Sequence, residues 1–506
     1  MFSKVNSAVC IGVEGRKVSV ETDITRGLPQ MNIVGLASTT VIESKERIKS
    51  ATINSGFDYP HGRITVNLTP ADIRKNGSGL DLAIAVCMLA SSKYIDQDKL
   101  SSCGIIGEIS LDGRVVGIDS VLPMVFCLAK TQLKQIIVPA SNYAEAILAE
   151  GVQIIPVNTL NECIEVINSN FEYTPAEVEL DYKFNKIVNL DGMDFKDIKG
   201  QEAAKRVISV AVCGRHGLLM VGSPGCGKTM LAKRIPTIMQ PMSGDELIET
   251  AIINSVSGRN NKDGCVCIDR PFRNPHNSIG KAGLFGGGVY PIPGEISLAH
   301  NGVLFLDEIC EFKSELIDMM RIPMEEKSIT HFRKGQAYKF PCNFQLVMAA
   351  NPCKCGYYGD EDRMCTCSQV QLDMYRRKLS GPILDRIDLR ISMEHVNYNQ
   401  LIDKEKALSS EKMRRDITKG IEFSRSQGRD ISNADIKDKD ISFICKLEAN
   451  EEGLMKDAYK KLKLSPRSCN KTLKVARTIA DMDESERIRE EHIAEALSYR
   501  AVSSIN

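Results

Sequence analysis

Three features are missing from this 506-residue sequence, and each absence argues against a class of protein. No apolar run approaches the ~20 residues that a membrane-spanning helix requires. The first stretch, MFSKVNSAVCIGVEGRKVSV, lacks the basic start, apolar middle and small-residue cleavage site of a secretion signal. Net charge is also missing, because 65 basic residues balance 65 acidic ones. We therefore predict a cytoplasmic protein with no membrane partner, in which any contact with nucleic acid comes from local loops.

What is present is enough apolar material for about three domains. Hydrophobic residues make up 43% of the chain and charged residues 26%, which is typical of globular proteins. Single cores rarely grow beyond ~250–300 residues, so the chain should divide into domains. The 17 cysteines indicate free thiols rather than disulfides in a cytoplasmic chain, and a close cluster of them would indicate a metal site.

A nucleotide site is predicted at residues 216–229, HGLLMVGSPGCGKT. The phosphate-loop pattern G-x-x-x-x-G-K-[ST] is matched at every fixed position by Gly222, Ser223, Pro224, Gly225, Cys226, Gly227, Lys228 and Thr229. Glycines let backbone N–H groups and the start of the next helix point at a phosphate. Lys228 is predicted to place a charge at the outer phosphates, and Thr229 to offer a hydroxyl to Mg²⁺. The alternative is a chance glycine-rich turn.

Two further strands are predicted to end at the same edge of a parallel sheet. Asp307 and Glu308 follow the apolar run VLFL, and Asn351 follows FQLVMAA. Buried parallel strands deliver side chains to their carboxyl ends, where open α/β sheets place ligands. We predict that Asp307 holds the magnesium shell and that Glu308 polarises the attacking water. An acidic pair after an apolar run is common, but its distance of about 80 residues from the phosphate loop makes it specific.

The first part of the chain is predicted to be an α/β unit. Strands are expected at 64–68 and 135–140, and helices at 78–92 and 142–151. Within it, KNGSGLDLAIA and GEISLDGRV resemble the proteolytic domain of the Lon family, which works by a Ser-Lys dyad.

Both members of that dyad are missing from this sequence. Gly79 stands at the serine position and Leu122 at the lysine position. Ser78 is an alternative nucleophile, but a shift of one residue at a helix start turns a side chain by about 100°. We expect a Lon-like fold without peptidase activity, used for assembly or partner binding.

The segment DFKDIKGQ, residues 194–201, resembles the entry to AAA+ ATPase domains. That resemblance places the backbone of Ile198 and Gly200 beside the adenine, and places Asn351 at sensor 1, where an amide orients the attacking water. Without the resemblance, this segment could be a plain helix cap.

Two arginines extend the likeness. LDRIDL, which contains Arg386, resembles the segment of magnesium-chelatase ATPase subunits whose arginine reaches the neighbouring subunit's nucleotide. Arg467, after Leu464-Ser-Pro, resembles sensor 2. A surface salt bridge is the alternative role for each arginine.

Over nearly its whole length the sequence resembles the magnesium-chelatase-like AAA+ ATPases of the ComM (YifB) type. The most specific stretches are RPFRNPH (270–276), GGG (286–288), PGEISLAHNG (293–302) and LKVARTIAD (473–481). The resemblance implies a hexameric motor, driven by ATP and Mg²⁺, that moves branched DNA during natural transformation.

The predicted fold class is α/β, in three domains. Residues 1–172 are expected to form the Lon-like α/β domain, followed by a linker at 173–193. Residues 194–396 are expected to form the AAA+ α/β/α core, and 397–506 an all-α lid that carries Arg467 back over the nucleotide.

DNA contacts are expected in two places. A glycine-rich insertion at about 270–300 far exceeds the 4–6 residues of an ordinary connection, and in this branch of AAA+ proteins it lines the central channel. Residues 328–340 alternate as a β-hairpin with Arg333 and Lys334 at its tip, where six copies would place positive charge on a channel. The alternative is an exposed hairpin whose charges prevent edge aggregation.

Four cysteines form a close cluster around a Gly-Tyr-Tyr-Gly turn: Cys353, Cys355, Cys365 and Cys367. Four soft ligands are typical of structural zinc, although the C-x-C spacing departs from the common C-x₂-C form. Structural Zn²⁺ is therefore predicted, with free thiols as the alternative.

Two functions from different classes remain open. The first is an ATP-driven DNA translocase or branch-migration helicase, and the second is a magnesium-chelatase motor subunit that remodels a protein partner. An ATP-dependent protease is disfavoured by Gly79 and Leu122.

Overall fold

The computed structural model describes residues 1–173, 192–258, 269–360, 363–378, 381–395 and 408–500. Most of the predicted linker (174–191) and the predicted boundary between residues 396 and 397 lie outside the described residues.

The N-terminal part contains nine strands and six helices. The strands are β1 (Phe2–Ile11), β2 (Glu14–Thr25), β3 (Gln30–Val34), β4 (Arg63–Thr69), β5 (Cys103–Ile105), β6 (Glu108–Ile109), β7 (Val115–Val116), β8 (Gln135–Pro139) and β9 (Gln153–Val157). The helices are Thr39–Asn54, Asp81–Ser91, Gln97–Leu100, Val121–Ala129, Tyr143–Ala146 and Leu160–Asn168. Seven strands form one mixed sheet in the order β3-β4-β2-β1-β5-β8-β9, and β6 pairs with β7.

The helix Asp81–Ser91 explains why this domain has a large core. Its sequence, DLAIAVCMLAS, is apolar on every side, and all of its residues are buried. A helix of this kind must be covered all round. It packs against β1 and β2, where Ser3 Oγ donates a hydrogen bond to Cys87 O at 2.5 Å.

The helix predicted at 142–151 is shorter than expected, because α-helix is present only at Tyr143–Ala146. The Asn142 side chain is held by the backbone of Ile118, with 3.0 Å hydrogen bonds in both directions. After Ala146 the chain continues in three-residue turns, including Ala149 N to Ala146 O at 3.1 Å. A short helix is marginal without tertiary support, so these long-range contacts decide the local structure.

The central part is built on five parallel strands: β10 (Leu218–Gly222), β11 (Phe272–Arg273), β12 (Val303–Leu306), β15 (Gln345–Ala350) and β16 (Leu389–Met393). Their order in the sheet is β11-β12-β15-β10-β16. The hairpin of β13 (Ser328–Arg333) and β14 (Gln336–Pro341) lies outside this sheet. The helices are Glu202–Gly214, Lys228–Arg234, Gly244–Val256, Lys281–Phe285, Glu295–Leu298, Ser314–Met319, Arg321–Glu326, Gln369–Lys378 and Gly381–Leu384.

Both faces of this sheet are buried, which explains its continuous apolar strands. In β12, Val303 and Phe305 belong to the core on one face, whereas Leu304 and Leu306 belong to the core on the other. The first core includes the helix Glu202–Gly214 and the C-terminal helices, and the second includes residues of the helices between 281 and 326. The result is the expected α/β/α arrangement.

Within residues 408–500 the regular structure is helical, as predicted. The α-helices are Ser410–Ser426, Ile441–Ile444, Ala449–Lys461, Pro466–Met482 and Glu490–Ser498. The helix Pro466–Met482 begins with proline in its first turn, and its N-cap Ser465 accepts from Ser468 N at 3.1 Å. No helix in the described part of the chain is long and apolar enough to cross a membrane.

The N-terminal domain contacts the central part at the helix Gly244–Val256. Ser120 N donates to Ser255 O at 3.1 Å, and Leu122 N lies 3.4 Å from Ser255 Oγ. A second contact lies at the turn between β1 and β2, where a Cβ added at Gly12 would be 3.1 Å from the Lys339 carbonyl oxygen in β14.

Candidate nucleotide-binding site

The phosphate loop joins a fully buried strand to a helix. All residues of β10 are buried, and the helix begins at Lys228. Gly225 and Gly227 have φ angles of +87° and +96°, which explains why glycine is required there. The first helical hydrogen bond runs from Leu231 N to Gly227 O at 3.0 Å, so the amides of residues 228–230 precede it and are available to an anion.

The Lys228 side chain is buried and points back into the loop. Its Nζ donates to Gly222 O at 2.6 Å, to Ser223 O at 3.0 Å and to Asn351 Oδ1 at 3.1 Å. Asn351 follows β15, the neighbour of β10 in the sheet. The structure therefore joins the loop lysine to the predicted sensor-1 amide.

The predicted magnesium ligands also meet. Thr229 Oγ1 donates to Asp307 Oδ2 at 2.7 Å, although the two residues are 78 positions apart. A hydroxyl and a carboxylate at this distance suit the oxygen-seeking Mg²⁺ ion. These groups fit ATP and magnesium: amides and an ammonium for phosphate, and two oxygens for the metal.

Glu308 follows Asp307 in a left-handed conformation, with φ at +50°. Its N–H donates to Asp307 Oδ1 at 2.9 Å, and its carboxylate accepts from Asn277 Nδ2 at 3.4 Å. Non-glycine residues adopt this conformation at an energetic cost, and such residues cluster at functional sites. Asn277 was missed by sequence reasoning, although it directly follows the specific stretch 270–276.

The predicted adenine-side segment lies against the same loop. Ile198 is buried and its carbonyl accepts from Lys205 Nζ at 2.8 Å, and Gly200 has a φ of +64°. The next residue, Gln201, donates from Nε2 to Cys226 O at 3.2 Å. Ile198 and Gly200 are thus held close to the phosphate loop in space.

Arg386 and Arg467 meet at a different place. Their Nη2 atoms contact the same Glu325 Oε1, at 2.8 Å and 2.7 Å. Hydrogen bonding to Arg467, more than the charge of Arg386, lowers the pKa of Glu325. All three line a cavity of about 590 Å³, which none of the residues 222–229 lines. Glu325 was not foreseen, because nothing in its sequence context links it to either arginine.

This arginine pair lies at the opposite edge of the sheet from the phosphate loop. Leu218 of β10 is aligned with Leu389 of β16, and Gly222 with Met393. Arg386 precedes β16, whereas the phosphate loop follows β10, so four strand steps of ~3.3 Å, roughly 13 Å, separate the two ends. This placement differs from the prediction that the C-terminal lid carries Arg467 back over the nucleotide.

The two candidate DNA elements come together. The predicted hairpin is present, with Arg333 opposite Gln336 and positive φ angles at Lys334 and Gly335. Arg333 Nε donates to Gly288 O at 3.3 Å, and Lys334 Nζ lies 5.6 Å from the centre of the Tyr290 ring. The hairpin tip and the centre of the glycine-rich insertion therefore form one exposed surface.

The four predicted cysteine ligands also converge. The Sγ atoms of Cys353, Cys355, Cys365 and Cys367 all lie within 4.8 Å of one another. Three of these separations are 3.3, 3.6 and 3.7 Å, and tetrahedral zinc with Zn–S bonds of ~2.3 Å would place sulfurs about 3.8 Å apart. Although burial opposes it, hydrogen bonds from the amides of Tyr357 and Thr366 lower the pKa of Cys355 to about 6.

Comparison with known proteins places this architecture in a family. Residues 194–401 match the model described as magnesium chelatase, subunit ChlI, residues 20–142 match subunit ChlI of Mg-chelatase, and residues 407–500 match the ChlI C-terminal model. Competence protein ComM of Haemophilus influenzae is 38% identical over 503 residues, which cover 98% of this chain and 97% of ComM. The chain belongs to the ComM (YifB) family of magnesium-chelatase-like AAA+ ATPases. An uncharacterized protein YifB of Escherichia coli is 36% identical over 507 residues, which cover 100% of this chain and 98% of YifB.

Membership of the ComM family implies an ATPase with ATP and Mg²⁺ as cofactors. A partial match also supports the Lon-like part: Lon protease 2 of Bacillus subtilis is 29% identical over 145 residues, which cover 27% of this chain and 26% of the protease.

At the two dyad positions of this ComM-family chain the surroundings are apolar. A Cβ added at Gly79 would lie 2.7 Å from Ile118 Cδ1, and Leu122 is completely buried. Ser78, the alternative nucleophile, donates its hydroxyl to the carboxylate of Glu108 rather than to a basic group. The absence of peptidase activity stays a prediction, and this packing is consistent with it.

Proposed function

We propose that this ComM-family ATPase assembles as a hexameric ring in the cytoplasm and uses ATP hydrolysis to move DNA. The observation that carries the proposal is the separation of its two sets of charged residues. Lys228, Asp307 and Glu308 lie at the carboxyl edge of the parallel sheet, and Arg386 lies beside Arg467 at the amino edge. Because roughly 13 Å of sheet separates Arg386 from the phosphate loop of its own chain, we infer that this arginine completes the nucleotide site of a neighbouring chain.

In that site each residue has a separate task. Lys228 and the loop amides bind the phosphates, and Thr229 and Asp307 hold the magnesium ion, which would neutralise phosphate charge. Glu308 orients and polarises the attacking water, and Asn351 holds both that water and Lys228 in place. Arg386, with Arg467 beside it, adds positive charge at the neighbour's phosphates.

DNA is the substrate that the exposed charges support best. Arg333 and Lys334 are both exposed, and their contacts with Gly288 and Tyr290 hold them on one surface. Six copies would concentrate positive charge in a ring built from a chain with no net charge. The name of the Haemophilus relative, a competence protein, agrees with a role for this motor in DNA uptake and recombination.

The direct test compares ATP hydrolysis with and without four-way or forked DNA. We expect DNA to stimulate the wild-type protein. The double variant Arg333→Ala/Lys334→Ala should keep its basal rate but bind DNA more weakly, with a shallower dependence of binding on salt.

The matched control is Arg415→Ala/Lys419→Ala, which removes two exposed basic residues from the helix Ser410–Ser426. It should leave both the stimulation and the salt dependence unchanged. DNA affinity that is equal in the wild type and the hairpin variant would contradict the assignment of the hairpin.

A second function is favoured by the family models themselves, which describe magnesium chelatase subunits over three parts of the chain. In that case the motor would remodel a protein partner while magnesium enters a porphyrin. Stimulation of hydrolysis by chelatase subunits, with none by DNA, would support this alternative.

We also propose that the four cysteines hold one structural zinc ion. The convergence of the four sulfurs, at separations close to those that tetrahedral zinc requires, supports this assignment. Metal analysis should find about one zinc per chain. A purified chain that contains only traces of zinc would contradict it.

A further inference from the structure

The cysteine segment, residues 353–360 and 363–367, lies directly against the phosphate loop. Asp360, between the two cysteine pairs, accepts a 2.6 Å hydrogen bond from Ser223 Oγ. The same Asp360 oxygen lies 3.2 Å from His395 Nε2, and the Asp360 side chain is only 3% exposed. Asp360 therefore joins the cysteine segment to the side chain of a phosphate-loop residue.

A second contact with the phosphate loop is made by Gly356, the residue that follows Cys355. Gly356 has a φ of +91°, and a Cβ added there would lie 2.7 Å from both Cγ and Cδ of Pro224. The segment backbone therefore touches the proline of the phosphate loop, and only glycine leaves room for this approach.

The same segment also continues from the sensor-1 strand. Cys353 follows Asn351 by two residues, and Asn351 accepts from Lys228, which in turn donates to Ser223 O. The cysteine segment thus begins two residues after Asn351, which binds Lys228. Through Asp360 it also contacts Ser223, whose carbonyl binds Lys228 as well. Any displacement of the segment would be transmitted to Lys228 from two sides.

We propose that the metal-bound cysteine segment positions the phosphate loop for ATP, with Asp360 and Gly356 as its positioning residues. The inference rests on the zinc site and the ATPase activity proposed above. Ordering an irregular segment costs conformational entropy, and four thiolates on one ion reduce the freedom that must be lost. A bound zinc ion therefore holds Asp360 on Ser223 and Gly356 on Pro224, and its loss weakens ATP binding at a distance from the thiolates.

The test measures three quantities on the full-length chain: zinc content, the Kd for a fluorescent ATP analogue, and the KM and kcat for ATP. Asp360→Ala should retain zinc but raise Kd and KM about tenfold, because it removes a hydrogen bond to a charged group, and should change kcat much less. Asp360→Asn, which can still accept from Ser223, should stay close to the wild type.

Zinc removal by a chelator should raise the Kd of the wild type by a similar factor, with little further effect on Asp360→Ala, since both changes release the same contact. The matched control is Asp373→Ala, which removes an exposed carboxylate from the helix Gln369–Lys378. It should leave zinc content, Kd and KM unchanged.

Unchanged Kd and KM in zinc-loaded Asp360→Ala, or unchanged Kd after zinc removal, would overturn this inference and leave the ATPase proposal intact. A chain without zinc would overturn the metal site together with its effect on the loop. A wild type that binds the analogue but hydrolyses no ATP would contradict the proposed function alone, because the Kd comparison would still report on loop positioning.

Discussion

Glu308 is the residue that we expect to polarise the attacking water. It follows the metal-ligand candidate Asp307, adopts a left-handed backbone conformation and accepts from Asn277. Its type and its place after a buried strand were readable from the sequence, because they follow from the apolar run before it. Its partner Asn277 lies 31 residues earlier in the chain, so only the folded insertion brings the amide to the carboxylate.

Replacing Glu308 with glutamine should separate binding from hydrolysis. The amide keeps the shape of the side chain but cannot polarise water as a carboxylate does, so we expect kcat to fall by ~10²–10⁴-fold while the Kd for ATP stays the same. Glu311→Gln, an exposed carboxylate three residues away that pairs with Lys378, is the control and should have little effect. A Glu308→Gln variant with wild-type kcat would remove Glu308 from the mechanism.

At the scale of elements, the buried carboxylate of Asp388 binds the helix Pro466–Met482 to the amino edge of the sheet. Lys471 Nζ contacts Asp388 Oδ1 at 2.6 Å and Arg386 O at 2.5 Å, while Asp388 Oδ2 accepts from Gly217 N at 3.0 Å. Burial alone would raise the pKa of Asp388, but the charge of Lys471 and the contact with His216 hold it well below its usual range. This ion pair links the C-terminal helices to the backbone of Arg386.

The ion pair between Asp388 and Lys471 should make the free energy of unfolding depend on pH. Because the pKa of Asp388 is lower in the folded than in the unfolded chain, its contribution is fully present above the unfolded value of ~3.9 and is lost as pH falls below it. Asp388→Asn should destabilise the protein at pH 7 by ~3–5 kcal/mol, since Lys471 would stay buried without its partner. Urea denaturation measured at pH 7 and at lower pH tests both statements.

The control for that measurement is Asp385→Asn, which changes an exposed carboxylate three residues away. Its effect should stay within ~0.5 kcal/mol, as for most surface substitutions. Equal denaturation midpoints for Asp388→Asn and the wild type would show that the ion pair contributes nothing to stability.

At the scale of the whole molecule, the opposite positions of the phosphate loop and Arg386 make the active unit larger than one chain. Lys228→Ala and Arg386→Ala should each lose hydrolysis when pure. When equal amounts are mixed, about a quarter of the interfaces would pair an intact phosphate loop with an intact arginine, so roughly that share of the wild-type rate should return.

Mixing Lys228→Ala with Glu308→Gln supplies the control for this complementation. Lys228 and Glu308 belong to the same half of the site, and a single chain supplies that half. Every interface in a mixed ring would therefore lack one of the two residues, and no activity should return. If Lys228→Ala and Arg386→Ala also fail to complement in rings that contain both variants, Arg386 does not act on a neighbour.

Local patterns in the amino-acid sequence dictate the geometry of several parts of this protein. Glycines at fixed spacing bend a phosphate loop, an apolar run before Asp307 makes a buried strand, and alternation around Arg333 makes a hairpin, since each depends on neighbours in the chain. The packing of the folded chain determines which distant residues meet. It placed Arg467 beside Arg386 on Glu325, the hairpin tip on Gly288, and Asp360 on Ser223, because contacts across 45 to 142 residues depend on how sheets and helices pack and leave no periodic signal in the sequence.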